Sequence, residues 1–259
     1  MSYLIAVSGK GGVGKTTVSA LIVNRLIAQR RVPVLAVDAD PNTCLDRALG
    51  VSAGNTIGRV REEAKKAISG AEQTSGISKQ ELFQLKVAES LVEAEDFDLI
   101  AMGRPEGPGC YCYANNVLKS TITALSSRYP YVVLDNEAGL ENLSRRIVQK
   151  VDLLIIVTDP SENGFRTVER LHQLAAEMGI QCRRLAVVVN RLRSEAAAER
   201  LAHLQQATHA DFVLGLPDDA ELADFGEGGT SLLQLSSSNP VLARVDEFLA
   251  KAILEKPVE

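Results

Sequence analysis

Apolar residues fall along this chain in two rhythms. Short continuous runs span Leu4 to Val7, Pro33 to Val37, Asp98 to Met102, Tyr131 to Leu134, Asp152 to Thr158, Leu185 to Val189 and Phe212 to Leu216. Each is rich in Val, Ile or Leu and is followed within two residues by Gly, Asp, Asn or Pro. Unbroken apolar runs of this length suit strands buried on both faces, as a parallel sheet covered by helices requires. Between them lie helical stretches: Val18 to Ala28, Asn116 to Arg128, Gly164 to Met178 behind a Ser161 cap, and Pro240 to Ile253. In the last, Val241, Leu242, Val245, Phe248, Leu249 and Ile253 share one face, as a core-docking helix does. The alternation predicts an α/β fold of three layers, a mostly parallel sheet with helices on both faces. No Pro/Gly/Ser-rich linker and no repeat divides the 259 residues, so a single domain over 1–259 is expected. Residues 43–97 are harder to read. Ile57, Val60, Ala64, Ala67 and Ile68 have helical spacing, and Leu82 to Val92 mixes helical and strand signals.

The first run and first helix enclose Ser-Gly-Lys-Gly-Gly-Val-Gly-Lys-Thr-Thr, Ser8 to Thr17. Gly9 to Thr16 fits G-x-x-x-x-G-K-[ST], the phosphate-binding loop. Gly9, Gly11, Gly12 and Gly14 leave no Cβ between backbone N–H groups and phosphate oxygens. The helix starting near Lys15 adds its N-terminal dipole, Lys15 a point charge for the β- and γ-phosphates, and Thr16 a hydroxyl for Mg²⁺. With Val13 and Thr17 these residues form the predicted nucleotide cradle. The second run ends in Asp38-Ala39-Asp40-Pro41-Asn42, where carboxylates at a strand's C-terminal end would face the phosphates; an aspartate-rich turn is the plainer alternative.

A second lysine, Lys10, follows the loop's first glycine, which phosphate binding alone does not require. Gly-Lys-Gly-Gly-Val-Gly-Lys-Thr-Thr resembles the deviant Walker A motif of the MinD and ParA cell-division and partition ATPases, the arsenite-pump ATPase and the nitrogenase iron protein, P-loop NTPases of the SIMIBI type. The resemblance implies an ATPase acting as a nucleotide-dependent homodimer, with Lys10 reaching across to the partner's ATP as an arginine finger does. It further implies that Asp38 orients the magnesium shell and Asp40 positions the attacking water. Asp135 would hold a magnesium-bound water, and the Gly139 amide would sense the γ-phosphate. Asn190 would hydrogen-bond the adenine edge with Arg191 along the ring, and Pro217-Asp218-Asp219 would close over the base. Adenine follows from the resemblance, since no Asn-Lys-x-Asp run is present. The expected catalytic set is Lys10, Lys15 and Asp40; the expected magnesium set is Thr16, Asp38 and Asp135.

Charge narrows the partners. Lys plus Arg number 28 against 33 Asp plus Glu, which gives no global electrostatic case for nucleic acid or an anionic membrane. No positively charged leader precedes the first strand and no apolar run is long enough to span a bilayer, so a cytoplasmic location is expected. A reducing compartment argues against disulfides among Cys44, Cys110, Cys112 and Cys182. Cys110 and Cys112 lie where three glycines and two prolines crowd Gly103 to Gly109, in a loop or at the entrance of the next helix. Two thiolates one residue apart supply half of a tetrahedral thiolate site, and a two-fold axis supplies the rest, giving a four-thiolate site between subunits for Zn²⁺, Ni²⁺ or an iron–sulfur cluster. Incidental thiols are an equal reading of that pair taken alone.

Pro105 to Tyr113, together with Asp40-Pro41-Asn42-Thr43-Cys44-Leu45, looks like the CooC and AcsF group of ATPases that mature nickel centres. That resemblance implies Ni²⁺ or Zn²⁺ held by Cys110 and Cys112 between subunits. It also implies a nickel-enzyme client, carbon monoxide dehydrogenase or acetyl-CoA synthase, and thus an ATP-driven metallochaperone. Two other classes compete: a MinD or ParA positioning switch that loads onto DNA or membrane, and an iron–sulfur electron donor like the nitrogenase iron protein. Cys44, Cys182, His172, His203 and His209 have no close co-ligand in sequence and are read as ordinary side chains.

Overall fold

The computed structural model describes residues 2–60, 87–104, 111–140, 150–193 and 196–254. The apolar runs become strands of one eight-stranded sheet: β1 (Tyr3–Gly9), β2 (Val34–Asp38), β3 (Leu91–Glu93), β4 (Phe97–Ala101), β5 (Tyr131–Asp135), β6 (Lys150–Thr158), β7 (Gln181–Leu192) and β8 (Phe212–Pro217). Their lateral order is β3-β4-β2-β5-β1-β6-β7-β8. Every neighbouring pair is parallel except β3 with β4. The helices are α1 (Lys15–Ala28), α2 (Leu45–Ala48), α3 (Tyr111–Ser126), α4 (Glu162–Glu177), α5 (Ala196–Thr208), α6 (Ala220–Gly228) and α7 (Pro240–Leu254), with a 3₁₀ turn at Leu232–Gln234.

Strand side chains alternate between two apolar layers. Ile5, Val7, Ala36, Val133, Ile155 and Val188 meet α1 and α7 through Leu21, Leu26, Val245 and Leu249. Ala6, Val37, Leu134, Ile156 and Val189 face the other way, towards Ile122 of α3, Phe165 and Val168 of α4 and Leu204 of α5. Burial on both faces is why these strands read as continuous apolar runs. The expected three-layer, mostly parallel α/β fold is the one observed, and the C-terminal helix docks on the core with Val241 and Leu249 fully buried. None of the described helices is long and apolar enough to cross a membrane.

Three differences from the sequence-based expectation matter. The edge strand β3 was hidden, because its three residues are only half-buried or exposed and carry no run. Helix α3 starts at Tyr111 rather than Asn116. Strand β7 continues past Val189 through Asn190 to Leu192, with a register irregularity there and Arg191 at φ 59. Within 43–97, Ile57 and Val60 are buried in the second layer and residues 57–60 are helical, whereas Ala64, Ala67 and Ile68 lie outside the described residues.

Candidate active site

A parallel sheet places the C-terminal ends of its strands along one edge, and ligands of open α/β sheets bind outside that edge. Here β1 delivers the glycine loop to it. At Gly9 (φ 148) an added Cβ would lie 2.2 Å from the Val157 carbonyl oxygen, so β6 and the loop touch backbone to backbone. Gly14 caps α1 in the left-handed region at φ 95, with no side-chain cap, and its absent Cβ would lie 2.3 Å from Asn190 Nδ2. The first-turn N–H groups of α1 are thus left for an anion, which the helix dipole also favours. Lys15, 9% exposed, donates from Nζ to the Lys10 carbonyl at 3.4 Å and so lies folded over its own loop. The Lys10 side chain is exposed at the rim, as Gly11 and Gly12 are.

Strands β2 and β5 are neighbours, so Asp38 and Asp135 are register partners, and Asp135 is also level with Val7 of β1. Neither carboxylate reaches solvent. Asp38 is largely occupied: Oδ1 accepts from the Asp40 amide at 3.0 Å and Oδ2 from the Cys44 and Leu45 amides at 2.9 Å. It therefore ties down the turn that carries Asp40 and starts α2. Asp40, half-buried, accepts at Oδ1 from the Asn42 amide at 2.8 Å and from Asn42 Nδ2 at 3.0 Å. Asp135 Oδ1 accepts from Ser19 Oγ at 3.0 Å, and the Thr16 hydroxyl lies close enough to favour the charged form of the same carboxylate. Among the described residues, Oδ2 of Asp135 is buried with no hydrogen-bond partner. An uncompensated carboxylate oxygen beside a threonine hydroxyl is a hard-oxygen donor set that fits Mg²⁺.

Burial pushes the Asp135 carboxyl up to about 7, with the Asp38 charge adding to it while Thr16, Ser19 and Lys15 pull the other way. Burial also lifts Asp38 to about 6, against three backbone amides that favour its charged form. Two buried carboxyls on adjacent strands cannot both ionise cheaply without a cation between or beside them.

The segment after Asp135 is fastened to β1. Asn136 donates both its amide (3.0 Å) and its Nδ2 (2.9 Å) to the Val7 carbonyl. The Gly139 amide donates to the Gly9 carbonyl at 2.9 Å, and Ser8 Oγ donates to the Gly139 carbonyl. The proposed phosphate-sensing amide is thus held against the last residue of β1.

On the other side of the loop, Thr17, Asn190, Arg191, Arg193, Pro217 and Asp218 line a cleft of about 460 Å³ walled by α6. Asn190 is buried and lies against the loop, Nδ2 donating to the Val13 carbonyl at 3.0 Å. Arg193 Nε pairs with Asp218 Oδ2 at 2.7 Å. The α6 wall is fixed by Asp219, which caps Leu222 and accepts from Asn239 Nδ2 at 2.9 Å. All five residues expected at the base, Asn190, Arg191, Pro217, Asp218 and Asp219, thereby meet in one concavity of nucleoside size, adjoining the loop.

Cys110 lies outside the described residues; Cys112 falls in the first turn of α3, and its side chain is likewise outside them. Among the described residues, no group of three or more His, Cys, Asp or Glu could hold a metal ion. Cys44 and Cys182 are free and exposed. Sequence reasoning missed Ser8, Ser19 and Asn136. Ser19 did carry a signal, a polar residue four after Lys15 inside an otherwise apolar helix stretch.

A relative from Methanocaldococcus jannaschii, an uncharacterized ATP-binding protein, is 40% identical over 253 residues, covering 98% of this chain and 99% of its own length. The carbon monoxide dehydrogenase accessory protein CooC of Rhodospirillum rubrum is 29% identical over 267 residues, covering 97% of this chain and 96% of that protein. A ParA family ATPase from Chlorobium tepidum TLS superposes with a TM-score of 0.71 at 19% identity, covering 96% of this chain and 98% of that one, a likeness of fold. Residues 4–232 match CbiA, the CobQ/CobB/MinD/ParA nucleotide binding domain, and the chain therefore belongs to that family of nucleotide-binding P-loop ATPases.

Proposed function

We propose that this chain is a cytoplasmic, single-domain ATPase that serves as a metallochaperone, closing as a homodimer around ATP and delivering Ni²⁺, or Zn²⁺ in its place, to a nickel enzyme of the carbon monoxide dehydrogenase or acetyl-CoA synthase type. The observation that carries this reading is end-to-end similarity to CooC in a chain that also holds the Cys110–Cys112 pair. The loop is of the deviant Walker A kind, with the exposed Lys10 acting on the partner's nucleotide. In each protomer the loop amides and Lys15 hold the phosphates. Asp40, kept in place by Asn42, orients the attacking water. Thr16 and Asp135 hold Mg²⁺ with Asp38 behind them, and when bound that ion neutralises phosphate charge. Asn190, Arg191 and Pro217 receive adenine. Loss of phosphate is read by Gly139 and carried to the cysteine pairs, whose four thiolates hold the cargo metal between subunits. The acidic balance of the chain disfavours nucleic acid and anionic membranes as partners.

Equilibrium dialysis with Ni²⁺ and Zn²⁺, run beside light scattering with a non-hydrolysable ATP analogue, tests the proposal. One metal per nucleotide-loaded dimer is expected, lost when Cys110 and Cys112 are both replaced by Ser. A particle of 27.9 kDa under those conditions, or a stoichiometry unchanged in the double variant, overturns it. ATP-dependent, salt-sensitive retention on DNA would instead mark a positioning switch.

A further inference from the structure

We infer that Asn190 is a positioning residue for the phosphate loop: it pins the Val13 carbonyl and thereby aims the Gly14 N–H at the bound phosphates. This rests on the loop being the phosphate cradle and is independent of whether Asn190 also touches the base. Asn190 is 3% exposed and stands on β7, two strands from β1. Its partners settle which way the carboxamide faces. The Val13 carbonyl can only accept, so the group 3.0 Å away is the NH₂; the Arg191 amide can only donate, so the group 3.0 Å from it is the oxygen. Arg191 itself sits at φ 59, uncommon for a side chain of its size.

The consequence lies in the geometry of one peptide. The Val13 C=O and the Gly14 N–H belong to the same planar trans unit and point in opposite directions. Tying the carbonyl to Asn190 turns the N–H away from β7 and into the loop. Gly14 also has no Cβ because the carboxamide fills that place: the atom would sit 2.3 Å from Asn190 Nδ2. Without Asn190 the buried carbonyl loses its partner, and the peptide is free to rotate towards one. An amide that must be turned back before it can bind an anion binds it more weakly by the fraction of time it points elsewhere. The carboxamide keeps one N–H and one oxygen lone pair that neither partner uses, so a base in the adjoining cleft can share it.

Inorganic tripolyphosphate separates the two roles, since it has phosphates and no base. In Asn190→Ala, tripolyphosphate affinity measured by calorimetry is expected to fall about fivefold to a hundredfold, the range that follows when one partner of a buried hydrogen bond is deleted. The Gly14 amide resonance, which shifts on adding tripolyphosphate to the unmodified protein, is expected to respond weakly in the variant. Asn190→Asp, of equal size but presenting an acceptor to the Val13 carbonyl, is expected to lose at least as much as Asn190→Ala and guards against one variant failing to fold. If ATP affinity falls by the same factor as tripolyphosphate affinity, the strut stands and the adenine contact of Asn190 does not. If ATP affinity falls while tripolyphosphate affinity and the Gly14 response hold, the strut is refuted and only base recognition survives. Unchanged binding of both ligands also refutes it.

Discussion

Replacing Asp135 by Asn should make the metal-free protein less sensitive to rising pH, and the direction follows from where the proton sits. Asp135 is 1% exposed at the end of β5, beside the equally buried Asp38. Its carboxyl is pushed from an ordinary 3.8 up to about 7. Between about pH 4 and about pH 7 the folded chain therefore keeps a proton that the unfolded chain has released. The folded state then binds more protons, so stability falls as pH rises through that window and levels off above it. At about 1.4 kcal/mol for each tenfold change in proton affinity, the swing attributable to this carboxyl is on the order of 4 kcal/mol. Asparagine keeps the shape and the oxygen that accepts from Ser19 and removes the titration. Urea unfolding in chelator-treated buffer, at intervals from pH 4.5 to 8, gives the difference in stability between the two proteins. The variant is expected to gain about 2–4 kcal/mol on the wild type across that range. Mg²⁺ should raise wild-type stability more at pH 7.5 than at pH 5 and leave the variant nearly unmoved. A stability difference flat with pH would show that the pair is solvated or already compensated, and the magnesium assignment of Asp135 would lose its physical basis.

Asp40→Ala should retain ATP affinity within about threefold while turnover falls on the order of a hundredfold or more, because it removes the carboxylate that orients water and leaves the loop intact; rapid phosphate release in a coupled assay would refute the role of Asp40. Gly14→Ala forces a Cβ onto a residue at φ 95 and against Asn190, so nucleotide affinity should drop at least about tenfold from strain of roughly 1–2 kcal/mol plus displacement of that side chain; calorimetry with ADP decides. Leu21→Ala, at a fully buried position of α1, should cost about 2–5 kcal/mol of unfolding free energy in urea while the nucleotide affinity of the folded fraction stays unchanged.

The parts legible in the sequence are those whose signal is local. A glycine-spaced loop between an apolar run and a helix is a pattern in consecutive residues, and so is an aspartate or asparagine stopping a run. Since every parallel strand delivers its C-terminal end to the same edge, naming Asp38, Asp135 and Pro217 as strand-end residues was enough to bring them to one side of the sheet, and Asn190, two residues before the end of β7, falls on that side too. The parts that were not legible depend on lateral order. Nothing near Asp38 or Asp135 announces that β5 lies between β2 and β1, yet that order puts the two carboxyls in register, where the Asp38 charge adds to the rise that burial already imposes on Asp135. The short helix α2 was hidden for a related reason. Its N-terminus is capped by the side chain of Asp38, which lies outside the helix at the end of β2, so the usual cap at Cys44 is absent.

That same lateral order explains how one site can both bind and respond. β1 sits between β5 and β6, so the glycine loop has the carboxylate end of β5 on one flank and the backbone of β6 on the other. Contacts on the β6 and β7 side, Gly9 against Val157 and Asn190 against Val13, join the loop to strands that are fully paired and buried along their centres. Contacts on the β5 side run through the segment that follows the strand: two bonds from Asn136 to the Val7 carbonyl, one backbone bond from Gly139 to Gly9, one hydroxyl bond from Ser8 to Gly139 and, among the described residues, a carboxylate oxygen without a partner. A buried hydrogen bond of net worth about 1 kcal/mol is within reach of the binding energy of a phosphate or a divalent ion, whereas rearranging a paired interior strand is not. Movement on nucleotide exchange should therefore be confined to the β5 side. Hydrogen exchange at Gly139 should change between the ADP and ATP-analogue complexes, while Val187 to Val189 stay equally protected in both; a change in β7 of equal size would contradict this division of the site.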